Sequence, residues 1–204
     1  MSEFDNRAGD WDKNLIHVKR SEAIATELVK RVPITNNMIG LEYGAGTGLL
    51  SFILKDRLAE ILLMDNSQEM IKVTEAKIIA SGYQNMKALQ IDLEKEDFDG
   101  QFDIVYNQMV LHHVANIDLI ISKFNSLIKP GGFLAIADLY MEDGSFHGEE
   151  FTGHKGFDVE LLKQQLEKHS FKNVETKPCY VIQRENEKGE LKEYPIFLMI
   201  ANKI

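Results

Sequence analysis

Gly44-Ala45-Gly46-Thr47-Gly48 stands between a short apolar run at 39–43 and a helical pattern at 49–57. Glycines at alternate positions permit positive φ and let a ligand approach bare backbone. A turn that leaves a buried strand and opens a helix offers its N–H groups to such a ligand. The third glycine comes one residue earlier than in the GxGxxG turn of dinucleotide folds, and Glu42 stands just ahead of the turn. A carboxylate there would repel a pyrophosphate but suit an ammonium group. On its own the turn also reads as a tight connection.

The rest of the chain alternates helix and strand patterns. Within 12–32, Ile24, Leu28 and Val32, with Ala25 and Val29, recur on one helix face. A strand at 61–64 ends at Asp65, Ser67 caps a helix through Ala80, and Ser81-Gly82 closes it. Strands at 87–91 and 102–106 follow, then a helix at 116–128 stopped by Lys129-Pro130-Gly131-Gly132, then a strand at 133–137. Beyond a polar stretch at 140–157, Asp158 caps a helix at 159–169, with Phe157 and Leu162 at the staple positions. Two strands, 173–183 and 194–203, are joined by the charged turn 184–193. Helices between buried strands make βαβ units. The expected fold is α/β: a doubly wound, mainly parallel seven-stranded sheet with an antiparallel C-terminal hairpin and helices on both faces.

Carboxylates end three successive strands. Asp65 lies 21 residues after Gly44, where it accepts both hydroxyls of a ribose or caps the helix ahead of Ser67. Asp92 closes the third strand, where it accepts from an adenine amino group with Leu93 against the ring, or is a solvated turn residue. With Glu42, they converge on the crevice where open α/β sheets bind ligands.

Composition narrows the partners. With 23 Lys+Arg against 32 Asp+Glu, the formal charge of −9 disfavours nucleic acid and anionic membrane and suits a cationic ligand. One cysteine, Cys179, excludes a disulfide framework and multi-cysteine zinc motifs. No apolar run approaches membrane length and no signal segment opens the chain, so a cytoplasmic protein is expected, monomer or homodimer.

Over roughly 38–139 the sequence resembles the class I S-adenosylmethionine-dependent methyltransferases. Leu41-Glu42-Tyr43-Gly44-Ala45-Gly46-Thr47-Gly48 resembles that family's first motif, and 61–65 with Asn66-Ser67-Gln68-Glu69-Met70 its second-strand acid and helix. Phe102-Asp103-Ile104-Val105 with Val110-Leu111-His112-His113-Val114, and Lys129-Pro130-Gly131-Gly132-Phe133-Leu134, resemble the fourth strand and the turn into the fifth. The resemblance implies S-adenosylmethionine as cofactor. The backbone of Gly44, Ala45, Gly46 and Gly48 would face its methionine part, and Glu42 its amino group. Asp65 would serve the ribose, Met70, Asp92 and Leu93 the adenine, and Asn107 the methionine part and the mouth of the acceptor pocket, with Asn66 also cofactor-binding. One domain, 1–204, is expected: a helical lid at 1–35, the cofactor core at 36–139, an acceptor-side loop at 140–157, and a helix with the terminal hairpin at 158–204.

The acceptor is expected to be a small molecule. The fourth strand lacks the Asn/Asp-Pro-Pro-aromatic tetrapeptide that resembling enzymes use on amide and nucleobase nitrogens, and no recognition module is appended. Acceptor-side candidates are His112, beside His113, and His147 and His154 in the loop, which reads as a mobile lid or an exposed polar segment. No metal is expected, since His147, Glu149, Glu150 and His154 follow no recognised ligand spacing. Trp11 either closes over the cofactor or anchors the first helix, whose His17 and Arg20 share a face turned to cleft or solvent. Two other readings remain: a non-catalytic cofactor-binding partner module, and an NAD-linked oxidoreductase, which would need the GxGxxG turn and hydride machinery.

Overall fold

The computed structural model describes residues 4–148, 150–185 and 189–204. A 3-10 helix, Asp5–Lys13, precedes α1 (Leu15–Arg31). Then follow β1 (Ile39–Tyr43), α2 (Leu49–Leu54), β2 (Glu60–Asp65), α3 (Gln68–Ser81), β3 (Met86–Gln90) and β4 (Phe102–Gln108). A 3-10 turn, Leu111–His113, leads to α4 (Ile117–Leu127), β5 (Ile128–Leu139), α5 (Val159–Lys168), β6 (Phe171–Glu185) and β7 (Leu191–Lys203). The sheet order is β3-β2-β1-β4-β5-β7-β6, parallel through β5, with β7 antiparallel to both β5 and β6. The order turns around between β1 and β4, the switch point at which such sheets take ligands. Helices α1, α2 and α3 cover one face and α4 and α5 the other. Among the described residues no helix is long and apolar enough to cross a membrane.

Local signals explain the helix ends. Ser67 accepts from Met70 N, Asp158 from Glu160 N and Leu161 N, and Gly82 closes α3 in the left-handed region. Alternation sorts β1 between the layers. Leu41 and Tyr43 pack on the α4 side with Phe124, while Glu42 faces Ser51 of α2.

Several boundaries differ from expectation. The pattern at 12–32 is two pieces, because the Asn14 side chain accepts from Ile16 N and starts a separate helix. Helix α2 stops at Leu54 rather than at residue 57. The expected stop at 129–132 is absorbed into β5 as a bulge, between the pairs Phe102↔Ile128 and Ile104↔Phe133, with Gly131 at φ 79°. The terminal strands reach further into the charged turn than 173–183 and 194–203.

Gly44 sits at φ 64°, and a Cβ there would lie 2.4 Å from Val110 Cγ2. Gly44→Ala is therefore expected to lose about 2–4 kcal/mol through backbone strain and overpacking. Denaturant unfolding measures it, and a loss below about 1 kcal/mol would show that Val110 yields freely.

Candidate active site

A cavity of ≈ 620 Å³ opens at the C-terminal ends of the central strands. Gly44, Ala45 and Gly46 line it after β1, Asp65, Asn66 and Met70 after β2, and Ile91, Asp92 and Glu94 after β3. Beyond β4 come Met109, Val110, His112 and His113, with Phe146 and His147 from the loop and Arg184 from β6. The N-terminal segment supplies the roof, including Phe4, Arg7, Asp10, Trp11, His17 and Arg20. Trp11 lines the cavity, and its ring lies 4.1 Å, centroid to centroid, from His17 of α1. The roof is tied down where Asp12 accepts from Thr47 Oγ1 and from Lys77 Nζ (2.6 Å), and Asp5 from Ser67 Oγ (2.6 Å).

At the acidic end, Asp65 Oδ2 accepts from Gly46 N (2.7 Å) and Oδ1 from Ser67 N (2.8 Å). Burial raises its carboxyl above the ordinary value, and these backbone N–H groups offset part of the rise. Each oxygen keeps a lone pair for a further donor. Asp92 accepts from Glu94 N and Lys95 Nζ.

At the other end, buried Asp138 takes His112 Nδ1 at 2.6 Å, with His112 N at 3.3 Å and Leu139 N at 2.8 Å. Burial works against its charge, yet His112 and the backbone N–H groups hold its carboxyl below the ordinary value. An ionised Asp138 accepts from Nδ1–H of His112, which leaves Nε2 as the ring nitrogen open to another partner. His113 is brought down to about 3 and His147 to about 4, chiefly by burial and then by the neighbouring histidines and arginines. The ligand nitrogens of His112, His113 and His147 lie within 4.8 Å of one another, close enough to hold a metal ion. Arg7 acts on both His113 and His147, and Arg184 on His147, and their positive charge opposes a metal cation there.

Five expected site residues stand off the cavity wall. Glu42 is fully buried and bonds Ser51 N and Oγ; burial pushes its carboxyl up to about 8. Asn107 is buried at the end of β4, and Leu93 belongs to the same hydrophobic core as Ile91. Gly48 is the cap of α2, tucked against Leu63 and Phe52. His154 is a clamp rather than a wall: its N bonds His112 O (2.8 Å) and its Nε2 meets Val114 O (3.0 Å). The loop is correspondingly docked, with Tyr140 bridged to Phe157 and Ser145 Oγ 2.9 Å from the Tyr194 hydroxyl. Glu149, weighed as a metal ligand, lies outside the described residues.

The missed residues are Asp138, Arg7 and Arg184. A lone acid inside the apolar run Ala135-Ile136-Ala137-Asp138-Leu139 was the available signal for the first. Nothing local marks the arginines.

The chain is similar to known proteins in both sequence and fold. It is 28% identical over 152 residues to an uncharacterized methyltransferase of Schizosaccharomyces pombe, covering 66% of this chain and 54% of that protein. It is 33% identical over 105 residues to a ubiquinone biosynthesis O-methyltransferase of Chelativorans, covering 48% and 39% respectively. The chain thus spans about half or less of these relatives. A SAM-dependent methyltransferase from Aquifex aeolicus superposes with a TM-score of 0.66 at 18% identity, over 88% of this chain and 89% of that one. A family model described as methyltransferase domain matches residues 34–194, and this chain belongs to that family.

Proposed function

We propose that this protein transfers the methyl group of S-adenosylmethionine to an oxygen, carbon, nitrogen or sulfur atom of a small, soluble acceptor. The observation that carries the reading is one cavity in which the glycine turn meets the carboxylates ending β2 and β3. The residues suit that cofactor. A Cβ at Gly46 would find no protein atom nearer than Met70 Sδ at 3.9 Å, so the turn leaves room for a ligand against its backbone. Asp65 retains acceptor sites for a ribose diol, and Met70, Ile91 and Asp92 surround the place of an adenine. Glu42, Gly48, Leu93 and Asn107 act from behind the wall. The N-terminal segment serves as the lid of a single domain.

The bound cofactor supplies a methyl group made electrophilic by its sulfonium. The chain's own part is to align the acceptor, exclude water and manage its proton. For a hydroxyl acceptor aligned with the cofactor's methyl group, His112 Nε2 would take the O–H proton, freeing the oxygen to act as nucleophile. Asp138 holds Nδ1–H and stabilises the imidazolium that forms. His147 closes the acceptor side.

Calorimetric titration with S-adenosylmethionine, S-adenosylhomocysteine and NADH tests the reading. Binding of both sulfur nucleosides without an NADH signal is expected; NADH alone, or silence toward all three, overturns it. Asp65→Ala is expected to weaken both nucleosides by about 1–3 kcal/mol, through loss of a charge-assisted contact. Unchanged affinity would remove Asp65 from the ribose.

A further inference from the structure

We propose that the basic end of the cavity is an oxyanion subsite, in which Arg20, Arg7 and Arg184 hold a carboxylate or phosphate group of the methyl acceptor. The inference rests on the methyltransferase reading for the word acceptor, and on geometry for the subsite.

Arg20 lines the cavity from α1 at 6% exposure, and its Nε is buried without a hydrogen-bond partner. Burial brings the guanidinium down to about 10, so it is still a cation at neutral pH. Among the described residues no carboxylate lies within 4.0 Å of Arg20, Arg7 or Arg184. Asp138 is close enough to act on Arg20 electrostatically, but its oxygens are engaged by His112 and Leu139 N. A buried charge without a contacting counter-ion is unfavourable, and a ligand anion corrects it. A guanidinium fork matches carboxylate and phosphate oxygens in geometry as well as charge.

The sheet order sets the acids that end β2 and β3 apart from the arginine on β6. Asp65 and Asp92 end β2 and β3 at one edge, whereas Arg184 lies on β6 at the opposite edge. In a chain with nine more acids than bases, three arginines on one cavity with no carboxylate partner among the described residues run against composition. Arg184 also sits 5.2 Å from the centroid of the Phe146 ring, on the cavity rim. The methionine carboxylate of the cofactor is a second source of the same chemistry, but one carboxylate does not need three guanidiniums.

Trp11, the single tryptophan, lines the cavity and reports occupancy by fluorescence. Protein saturated with S-adenosylhomocysteine is titrated with benzoate, inorganic phosphate and neutral benzamide. The two anions are expected to bind at least about tenfold more tightly than benzamide, and Arg20→Met and Arg184→Gln each to weaken them at least about tenfold. Affinities of both variants for S-adenosylhomocysteine and for methylthioadenosine, which lacks the carboxylate, should stay within about twofold. Arg184 is exposed, so its variant tests the subsite without risk to the core. Arg20→Met should raise the melting temperature of the ligand-free protein, since it removes an uncompensated buried charge. Equal binding of benzamide and benzoate, or anion binding indifferent to both variants, overturns the proposal. Loss of S-adenosylhomocysteine but not methylthioadenosine affinity in both variants assigns the guanidiniums to the cofactor and also overturns it. Arginine-dependent benzoate binding in a wild-type protein that takes no sulfur nucleoside sinks the methyltransferase reading and leaves the subsite standing.

Discussion

Asp138→Asn is expected to lower methyl transfer to a hydroxyl acceptor by about 10²–10⁴-fold, the usual contribution of a placed general base. The carboxylate is fully buried and receives Nδ1–H of His112 at 2.6 Å. Asparagine offers an N–H in place of one of the two oxygens. If that N–H faces His112, the imidazole must present its Nδ1 lone pair to it and carry the proton on Nε2, where the acceptor needs a base. Cofactor binding should change little, because Asp138 lies across the sheet from Asp65 and Asp92. Folding stability should fall by about 1–3 kcal/mol, the cost of a disturbed buried hydrogen bond. The decisive comparison is kcat against S-adenosylhomocysteine affinity. Near wild-type kcat would show that no base acts, as for a soft sulfur or carbon acceptor. Parallel loss of kcat and cofactor affinity would reduce Asp138 to a structural part.

The second large effect concerns pH. Glu42 titrates at about 8 in the folded chain, mainly because burial penalises its charge, against 4.5 ordinarily. A raised folded value means that Glu42's contribution is fully present below pH 4.5 and is lost as pH rises through 8. Across that window the unfolded chain ionises and the folded one does not, so stability falls by about 1.4 kcal/mol per pH unit from this residue. Glu42→Gln stays neutral in both states and keeps an oxygen for Ser51 N. The variant should therefore match wild type near pH 4.5 and be the more stable protein, by a few kcal/mol, above pH 8. Melting curves across that range give the answer. Parallel pH profiles for the two proteins would show that Glu42 is ionised when folded.

What was legible in the sequence depended on the range of the signal. Ser67, Gly82 and Asp158 mark helix ends through bonds to residues within four positions, so the chain states them locally. The carboxylates at the ends of β2 and β3 were legible for a similar reason: an acid that ends an apolar run can go nowhere but the sheet edge. Register is not local. The bulge at 128–132 follows from pairing with Phe102 and Ile104, and no turn signal reveals that Lys129-Pro130-Gly131-Gly132 stays in the sheet. The loop histidines differ only in what the loop meets. His154 spends its imidazole on the backbone after His112, and His147, seven residues earlier, is left on the cavity wall. Arg7, Arg20 and Arg184 line one cavity only because the N-terminal segment, α1 and β6 all border it, which composition and periodicity do not encode.

The ties that hold the roof fasten it to the cofactor side of the cavity itself: Thr47 belongs to the glycine turn and Ser67 is the cap of the helix after Asp65. A nucleoside held against the glycine turn, as proposed, would pass that segment only once both latches open. The segment they hold also carries Arg7 and packs Phe4 5.0 Å from His113, so it roofs the histidine end of the cavity as well. Unlatching is therefore a step that every ligand of the cavity shares, whichever end it occupies.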